Sequence, residues 1–153
     1  MENQKEIFLP KTLALKLKKL QAEAKGKWGI MDAQQMVEHM VDAVRCANGK
    51  LVLPLINKGE KLQKSREFLM SDKPFKENIN NPFIPEAGFP HRKADIKTGI
   101  NKLQKELDYF FEVFSKHPEM KTVNPFFGEL DFTLNVQLLY KHALHHLTQF
   151  GIT

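Results

Sequence analysis

Cysteine is nearly absent from this sequence: it occurs once in 153 residues, at position 46. A single cysteine excludes a disulfide within the chain, and it also excludes the zinc modules that hold their ion through several thiolates. Cys46 follows His39 by about two helical turns on the same predicted helix, and we expect a buried, inert thiol.

Long apolar runs are also missing. No stretch approaches the roughly 18 apolar residues of a membrane span, and the first residues contain no apolar core of a secretory signal. Hydrophobic residues make up 42% of the chain and charged residues 27%, which is typical of a globular protein. We therefore expect one domain over residues 1–153, located in the cytoplasm and without a membrane partner.

Motifs for binding DNA or RNA are absent as well, although the formal net charge is +5. The lysines are spread along the chain, and the densest group lies on the opposite side of a predicted helix from its leucines. A solvated helix face is the favoured interpretation, so we expect no nucleic-acid partner. Nucleic-acid binding through this lysine-rich helix is the least favoured hypothesis.

What the sequence does contain is helical periodicity. Apolar residues recur at a spacing of three to four in residues 11–25, 32–47, 94–115 and 131–151, and more weakly in residues 60–70. Asp32 followed by Gln35 predicts a capping box, and Asp131 predicts an N-cap. The acids Glu106, Asp108 and Glu112 are expected at the surface. Because no segment alternates like a strand, the pattern predicts an all-α helical bundle.

The last predicted helix carries polar residues where a core helix should carry leucines. At about 100° per residue, His142, His146, Asn135 and Gln149 share one stripe of an otherwise apolar face. Histidines four apart on a helix can converge on one divalent ion, but they can equally be satisfied by waters and carbonyls. The zincin protease motif is excluded, because it needs glutamate where this sequence has Ala143.

A third histidine lies on the predicted helix over residues 32–47. The neighbours of His39 on that helix are mostly small or apolar, so its ring is expected to face the interior. Metal sites in helical bundles are built from inward side chains on facing helices. His39, His142 and His146 would supply three nitrogen ligands, which is the ligand number of a catalytic zinc site that also binds water.

Three segments together resemble a DinB-like family of the DinB/YfiT metalloenzyme superfamily. They are YKHALHHLTQFG at residues 140–151, WGIMDAQQMVEH at residues 28–39 and NPFFG at residues 124–128. The resemblance covers most of the chain and implies a four-helix bundle, arranged up and down with a long crossover connection. It also implies zinc or nickel held by His39, His142 and His146, and often a homodimer.

The resemblance bears on other residues too. His145 belongs to the family pattern and is expected to contact a ligand histidine or the substrate. Asn124 departs from it, since relatives have histidine there, which leaves the role of that side chain open. Members of the superfamily include thiol-dependent transferases and isomerases that use a low-molecular-weight thiol, and proteins assigned as hydrolases.

Two functional hypotheses follow. The first is a metal-dependent enzyme acting on a small molecule, as a thiol-dependent transferase or a hydrolase, with Gln149 and Asn135 orienting ligands or substrate. The proline-rich connection at residues 71–93 would cover its site. The second is a non-catalytic helical module whose metal site is structural or lost. No obvious general base accompanies the histidines.

Overall fold

The computed structural model describes residues 3–77 and 90–153, and these are mostly helical. They contain six helices and one antiparallel two-stranded sheet. No helix in these ranges combines the length and apolar content needed to cross a membrane. The elements in order are α1 (Gln4–Lys11), α2 (Leu13–Leu17), α3 (Ala33–Ala47), α4 (Gly59–Met70), α5 (Ile96–Lys116), β1 (Thr122–Asn124), β2 (Gly128–Leu130) and α6 (Phe132–Gln149).

The first helical region differs from the prediction for residues 11–25. Helix α1 begins before Pro10, because Asn3 and Glu6 form a capping box at its start. Pro10 lies inside α1, and the helix is interrupted at Thr12 before α2 continues to Leu17. Leucines at helical spacing nevertheless face the core, since Leu9, Leu13 and Leu17 are all buried.

The other helices begin and end within two residues of their predicted bounds. Asp32 caps α3 and forms the predicted capping box with Gln35. Asp131 caps α6, and its side chain accepts a hydrogen bond from the backbone N–H of Leu134. These caps satisfy backbone donors at the helix starts, which is why the sequence alone locates them well.

The NPFFG segment forms the turn of a hairpin, which the helical prediction did not include. The side-chain oxygen of Asn124 accepts hydrogen bonds from the backbone N–H groups of Phe126 and Phe127. Gly128 has a φ of 76°, which favours glycine. Strands of three residues are too short to show alternation, so the pattern did not reveal them. Asn124 therefore has a structural role in this turn.

The main core lies between α3, α5 and α6, with α1 and α2 packed against it. It fixes α3 and α6 side by side, so that inward polar residues of these two helices meet. Its fully buried members include Met36, Val37, Leu103, Leu107, Phe110 and Leu147.

Glu106 contradicts its predicted surface position, because only 1% of the residue is exposed. Its carboxylate accepts a hydrogen bond from Asn48 at 2.9 Å and pairs with Lys50 at 3.1 Å and Lys102 at 2.7 Å. Burial alone would raise the pKa of Glu106, but these donors together lower it to about 2. The carboxylate thus joins the end of α3 to α5.

Candidate metal centre

Three imidazoles meet between α3 and α6. The Nε2 atom of His142 lies 3.0 Å from that of His39 and 2.9 Å from that of His146. The ligand nitrogens of all three rings lie within 4.8 Å of one another. The structure therefore brings together the three residues that helical phase selected from two parts of the chain.

The rings are packed edge to face. Their centroids are 4.5 to 5.1 Å apart and their planes are inclined by 79° to 84°. His146 is buried, and His39 and His142 are partly buried. Within this packing, Nε2 of His142 lies close to Nε2 of both His39 and His146.

The three histidines are neutral at pH 7. Burial lowers the pKa of His39 to about 4 and that of His146 to about 3, and the pKa of His142 lies well below its usual range for the same reason. Neighbouring His39 lowers the pKa of His142 and His146 further, whereas Asp42 partly opposes the shift at His39. A neutral imidazole has one nitrogen lone pair, which is the form that binds a metal ion.

The spacing of the three nitrogens fits a single divalent ion. Bonds of about 2.0 to 2.1 Å place tetrahedral ligand atoms roughly 3.3 Å apart. The two short separations, 2.9 and 3.0 Å, need to widen by a few tenths of an ångström, and the third, which is at most 4.8 Å, needs to close by up to about 1.5 Å. The donor set is also suitable, because imidazole nitrogen is a good ligand for zinc and nickel.

Gln149 determines which nitrogen of His146 faces this centre. Its amide nitrogen donates to the carbonyl oxygen of Trp28 at 2.9 Å, and its amide oxygen lies 2.7 Å from Nδ1 of His146. A carbonyl only accepts, so the amide orientation follows from this contact, and Nδ1 of His146 must donate. The lone pair of His146 is therefore on Nε2, which faces the other two histidines.

The turn around residues 26–29 passes unusually close to Gln149. The backbone N–H of Lys27 donates to the carbonyl of Gln149 at 2.7 Å. A Cβ at Gly26 would lie 3.0 Å from Cγ of Gln149, and one at Gly29 would lie 2.8 Å from its amide nitrogen. Glycine at these positions thus allows the Trp28 carbonyl to reach the amide.

His145 lies beside the cluster without joining it. Its half-buried ring packs against Trp28 and Phe75, with centroids 5.4 and 5.8 Å away, and lies 5.1 Å from the ring of His146. Burial lowers the pKa of His145, opposed by Glu77 and a backbone hydrogen bond at Phe75. It is placed to contact a molecule next to the three histidines.

Asn135 shares the helical phase of His142 and His146 but contacts a different part of the protein. Its amide nitrogen donates to the hydroxyl of Thr122 at 3.0 Å and to the carbonyl of Leu130 at 3.1 Å. It lies seven residues before His142, roughly 10 Å along the helix axis. Its observed contacts attach α6 to the hairpin.

Cys46 is buried and free, as expected. Burial raises the pKa of its thiol to about 11, and Asp42 contributes in the same direction. The side chain is not a member of the three-histidine cluster. At neutral pH it is therefore a protonated thiol and not a thiolate.

Arg92 fastens the end of the proline-rich connection to α3, and the sequence did not reveal this. Its guanidinium binds both carboxylate oxygens of Asp42 at 3.0 and 3.1 Å and also contacts Glu38. His91, which is exposed, contacts Asp32 at 2.7 Å. Residues 78–89 lie outside the described residues, so the predicted cover over the site is described only at its two ends.

A groove of about 380 Å³ runs beside the histidine cluster. It lies between α6 and residues 71–77, and His145 and Phe75 belong to its lining. The centre of the Phe75 ring is also 6.2 Å from that of His142, so the side chain of Phe75 lies between the groove and the cluster. A larger cavity, of about 660 Å³ near Phe111 and Phe132, is lined by neither His145 nor Phe75 and is less relevant to the chemistry of the cluster.

No protein-family model, no curated protein and no solved structure matches this chain. The interpretation of the site therefore depends on its own geometry.

Proposed function

We propose that the protein is a metal-dependent enzyme in which His39, His142 and His146 hold one divalent ion, zinc or nickel. The observation that carries this proposal is the convergence of three neutral imidazole nitrogens within 4.8 Å, contributed by two helices. Three protein ligands leave a coordination position for water or substrate.

The reaction class follows from what surrounds the three histidines. A bound divalent ion supplies Lewis acidity and lowers the pKa of a coordinated water or thiol. The thiol of Cys46, with its pKa of about 11, is not suited to act as nucleophile at neutral pH. We therefore place the nucleophile outside the chain, as a low-molecular-weight thiol in a thiol-dependent transferase or as water in a hydrolase.

We also propose that the helices form the four-helix bundle of the DinB/YfiT type. In this arrangement α1 and α2 together act as the first helix, with α3, α5 and α6 as the others. The contacts of α1 and α2 with both α5 and α6, and of α3 with both α5 and α6, support it. Helix α4 and the connection after it then form the long crossover. The resemblance to the DinB/YfiT superfamily also leads us to expect a homodimer.

One observation favours the alternative of a module whose site is structural or lost. Nε2 of His142 is within hydrogen-bond distance of both other histidines. A proton on this nitrogen can satisfy part of the cluster without any ion. The cluster is then a polar contact between α3 and α6 and has no catalytic role.

Metal content separates these possibilities. We expect elemental analysis of the purified protein, or titration of chelator-treated protein, to give one zinc or nickel ion per chain, located at the histidines by anomalous scattering. Chelation should abolish activity in a panel of thiol-transfer and hydrolysis assays. Absence of stoichiometric binding would overturn the proposal. Binding that raises the melting temperature while every assay stays blank would support the structural alternative.

Gln149 should influence metal affinity through His146. We expect Gln149→Leu to weaken binding by about 10-fold to 100-fold, because the ring loses the acceptor that keeps its proton on Nδ1. Competition with a chromophoric chelator measures this. Gln137→Leu is the matched control. Gln137 lies on the same helix, and its amide donates to the Leu69 carbonyl instead of accepting from a histidine. Equal affinities of the two variants would contradict the role of Gln149.

A further inference from the structure

The groove beside the histidines follows one stripe of α6. Its residues on that helix recur every three or four positions between Gln137 and Thr148, which corresponds to roughly 16 Å along the axis. Residues 71–77 form the opposite wall, with Lys5 and Trp28 completing the lining. Lys5 contacts Gln137 and Trp28 contacts Gln149, so these two residues mark opposite ends of the groove.

One end of the groove carries ammonium groups without carboxylate partners. Lys141 is only 7% exposed, and its Nζ donates to the carbonyls of Ser71 and Lys73. Lys5 donates to the side-chain oxygen of Gln137, and its Nζ lies 5.6 Å from the centre of the Tyr140 ring. Among the described residues, no carboxylate lies within 4.0 Å of either lysine, although other lysines form such pairs.

The electrostatic state of Lys141 agrees with this arrangement. Burial lowers the pKa of Lys141; the charge of Asp72 opposes this shift in part, and the smaller effect of Lys5 adds to it. The carbonyls after α4 satisfy its hydrogen bonds but carry only partial charge. A cation that is buried with incomplete charge compensation favours binding of an anion.

The rest of the lining is mixed. Asp72 and Glu77 contribute carboxylates, whereas Tyr140 and Leu144 on either side of Lys141, and Trp28 and Phe75 beside His145, contribute an apolar and aromatic surface. Leu144 is 36% exposed, which is high for a leucine on a helix that faces the core elsewhere. Such a lining suits the hydrophobic body of a small molecule.

We propose that this groove binds a small amphipathic organic anion, an aryl-alkyl or alkyl carboxylate. Its carboxylate lies at Lys5 and Lys141, and its apolar body lies along Tyr140 and Leu144 towards Trp28. The far end of the molecule then reaches His145, next to the three ligand histidines. Identifying this anion as the substrate of the metal centre rests on the function proposed above, whereas the groove's preference for an anion does not.

Tryptophan fluorescence gives a direct test, because Trp28 is the one tryptophan in the sequence and it lines the groove. The full-length protein, treated with chelator, is titrated with 4-phenylbutyrate and with its neutral amide. We expect the carboxylate to change the emission at millimolar concentration and to bind about 10-fold more tightly than the amide, as a charge-assisted contact to lysine implies.

Substitutions of single lysines test where the anion binds. Lys5→Met should remove most of the preference for carboxylate over amide, and Lys5→Glu should reverse it. Lys105→Met, at an exposed position outside the groove, is the matched control and should behave as wild type. Lys141→Met also loses the contacts to residues 71–73, so its folding must be checked by circular dichroism and it serves only as a supporting variant.

The outcomes are separable from those of the metal test. Equal binding of acid and amide, unchanged preference in Lys5→Met, or no binding of either compound overturns the proposal for the groove. If the carboxylate binds selectively to a protein that takes up no metal, the groove proposal stands and the metalloenzyme proposal fails. If metal binds at the histidines but the carboxylate preference is absent, only the groove proposal fails.

Discussion

Replacing His142 with alanine is expected to remove most metal binding. Nε2 of this residue is the atom within 3.0 Å of the corresponding nitrogens of both other histidines, so its loss leaves two ligands from different helices. Losing a hydrogen-bond partner of a metal ligand weakens metal affinity by about 10-fold to 100-fold, and losing the ligand itself should weaken it more. We therefore expect the metal affinity of His142→Ala to fall by at least about 100-fold. Metal content after dialysis and competition with a chelator both measure this change.

His145→Ala is the matched control for that experiment. It removes an imidazole on the same turn of α6 whose ring packs against Trp28 and Phe75 and is outside the cluster. We expect it to retain one ion per chain. A double variant, His142→Ala with His146→Ala, that still bound stoichiometric metal would refute the assignment of the ligands.

Removing the carboxylate of Glu106 is expected to destabilise the fold markedly. Glu106→Ala leaves the amide of Asn48 and the ammonium groups of Lys50 and Lys102 without their partner. Breaking a buried ion pair costs about 3 to 5 kcal/mol, but both lysines are more than one-third exposed, so we expect about 2 kcal/mol. Urea denaturation followed by circular dichroism measures the change.

The same carboxylate predicts a dependence of stability on pH. Its folded-state pKa of about 2 lies below its ordinary value of 4.5, so its contribution is fully present above pH 4.5 and is lost as pH falls towards 2. Wild type should therefore lose more stability than Glu106→Gln between these pH values. Glu112→Gln, which removes a largely exposed carboxylate paired with Lys116, is the control and should show no comparable difference. Identical pH profiles for wild type and Glu106→Gln would contradict the prediction.

Local patterns predicted α3, α5 and α6 and placed His142 and His146 on one face of α6. The starts of α3 and α6 depend on capping by Asp32 and Asp131, which involves residues only three apart. The facing of His142 and His146 follows from helical phase, since they are four residues apart. These features depend on short-range geometry, and the sequence therefore contains the information needed to find them.

The features that were missed depend on contacts between distant residues. Glu106 resembles a surface acid until Asn48 and the two lysines are placed around it. Helical phase correctly grouped Gln149 with His142 and His146, but it could not reveal that the Trp28 carbonyl fixes its amide, because 121 residues separate them. The same phase included Asn135 in the stripe, although the hairpin provides its partners.

His39 and His142 are 103 positions apart in the chain, yet their nitrogens lie within 3.0 Å. An ion bound there would therefore act as a reversible cross-link that closes a very long loop. In an unfolded polypeptide the three histidines are not held close together. Free metal should then bind chiefly to molecules that have already folded, so the apparent unfolding temperature should rise with the logarithm of metal concentration. Refolding in excess chelator, followed by late addition of metal, should give the same final protein as refolding with metal present.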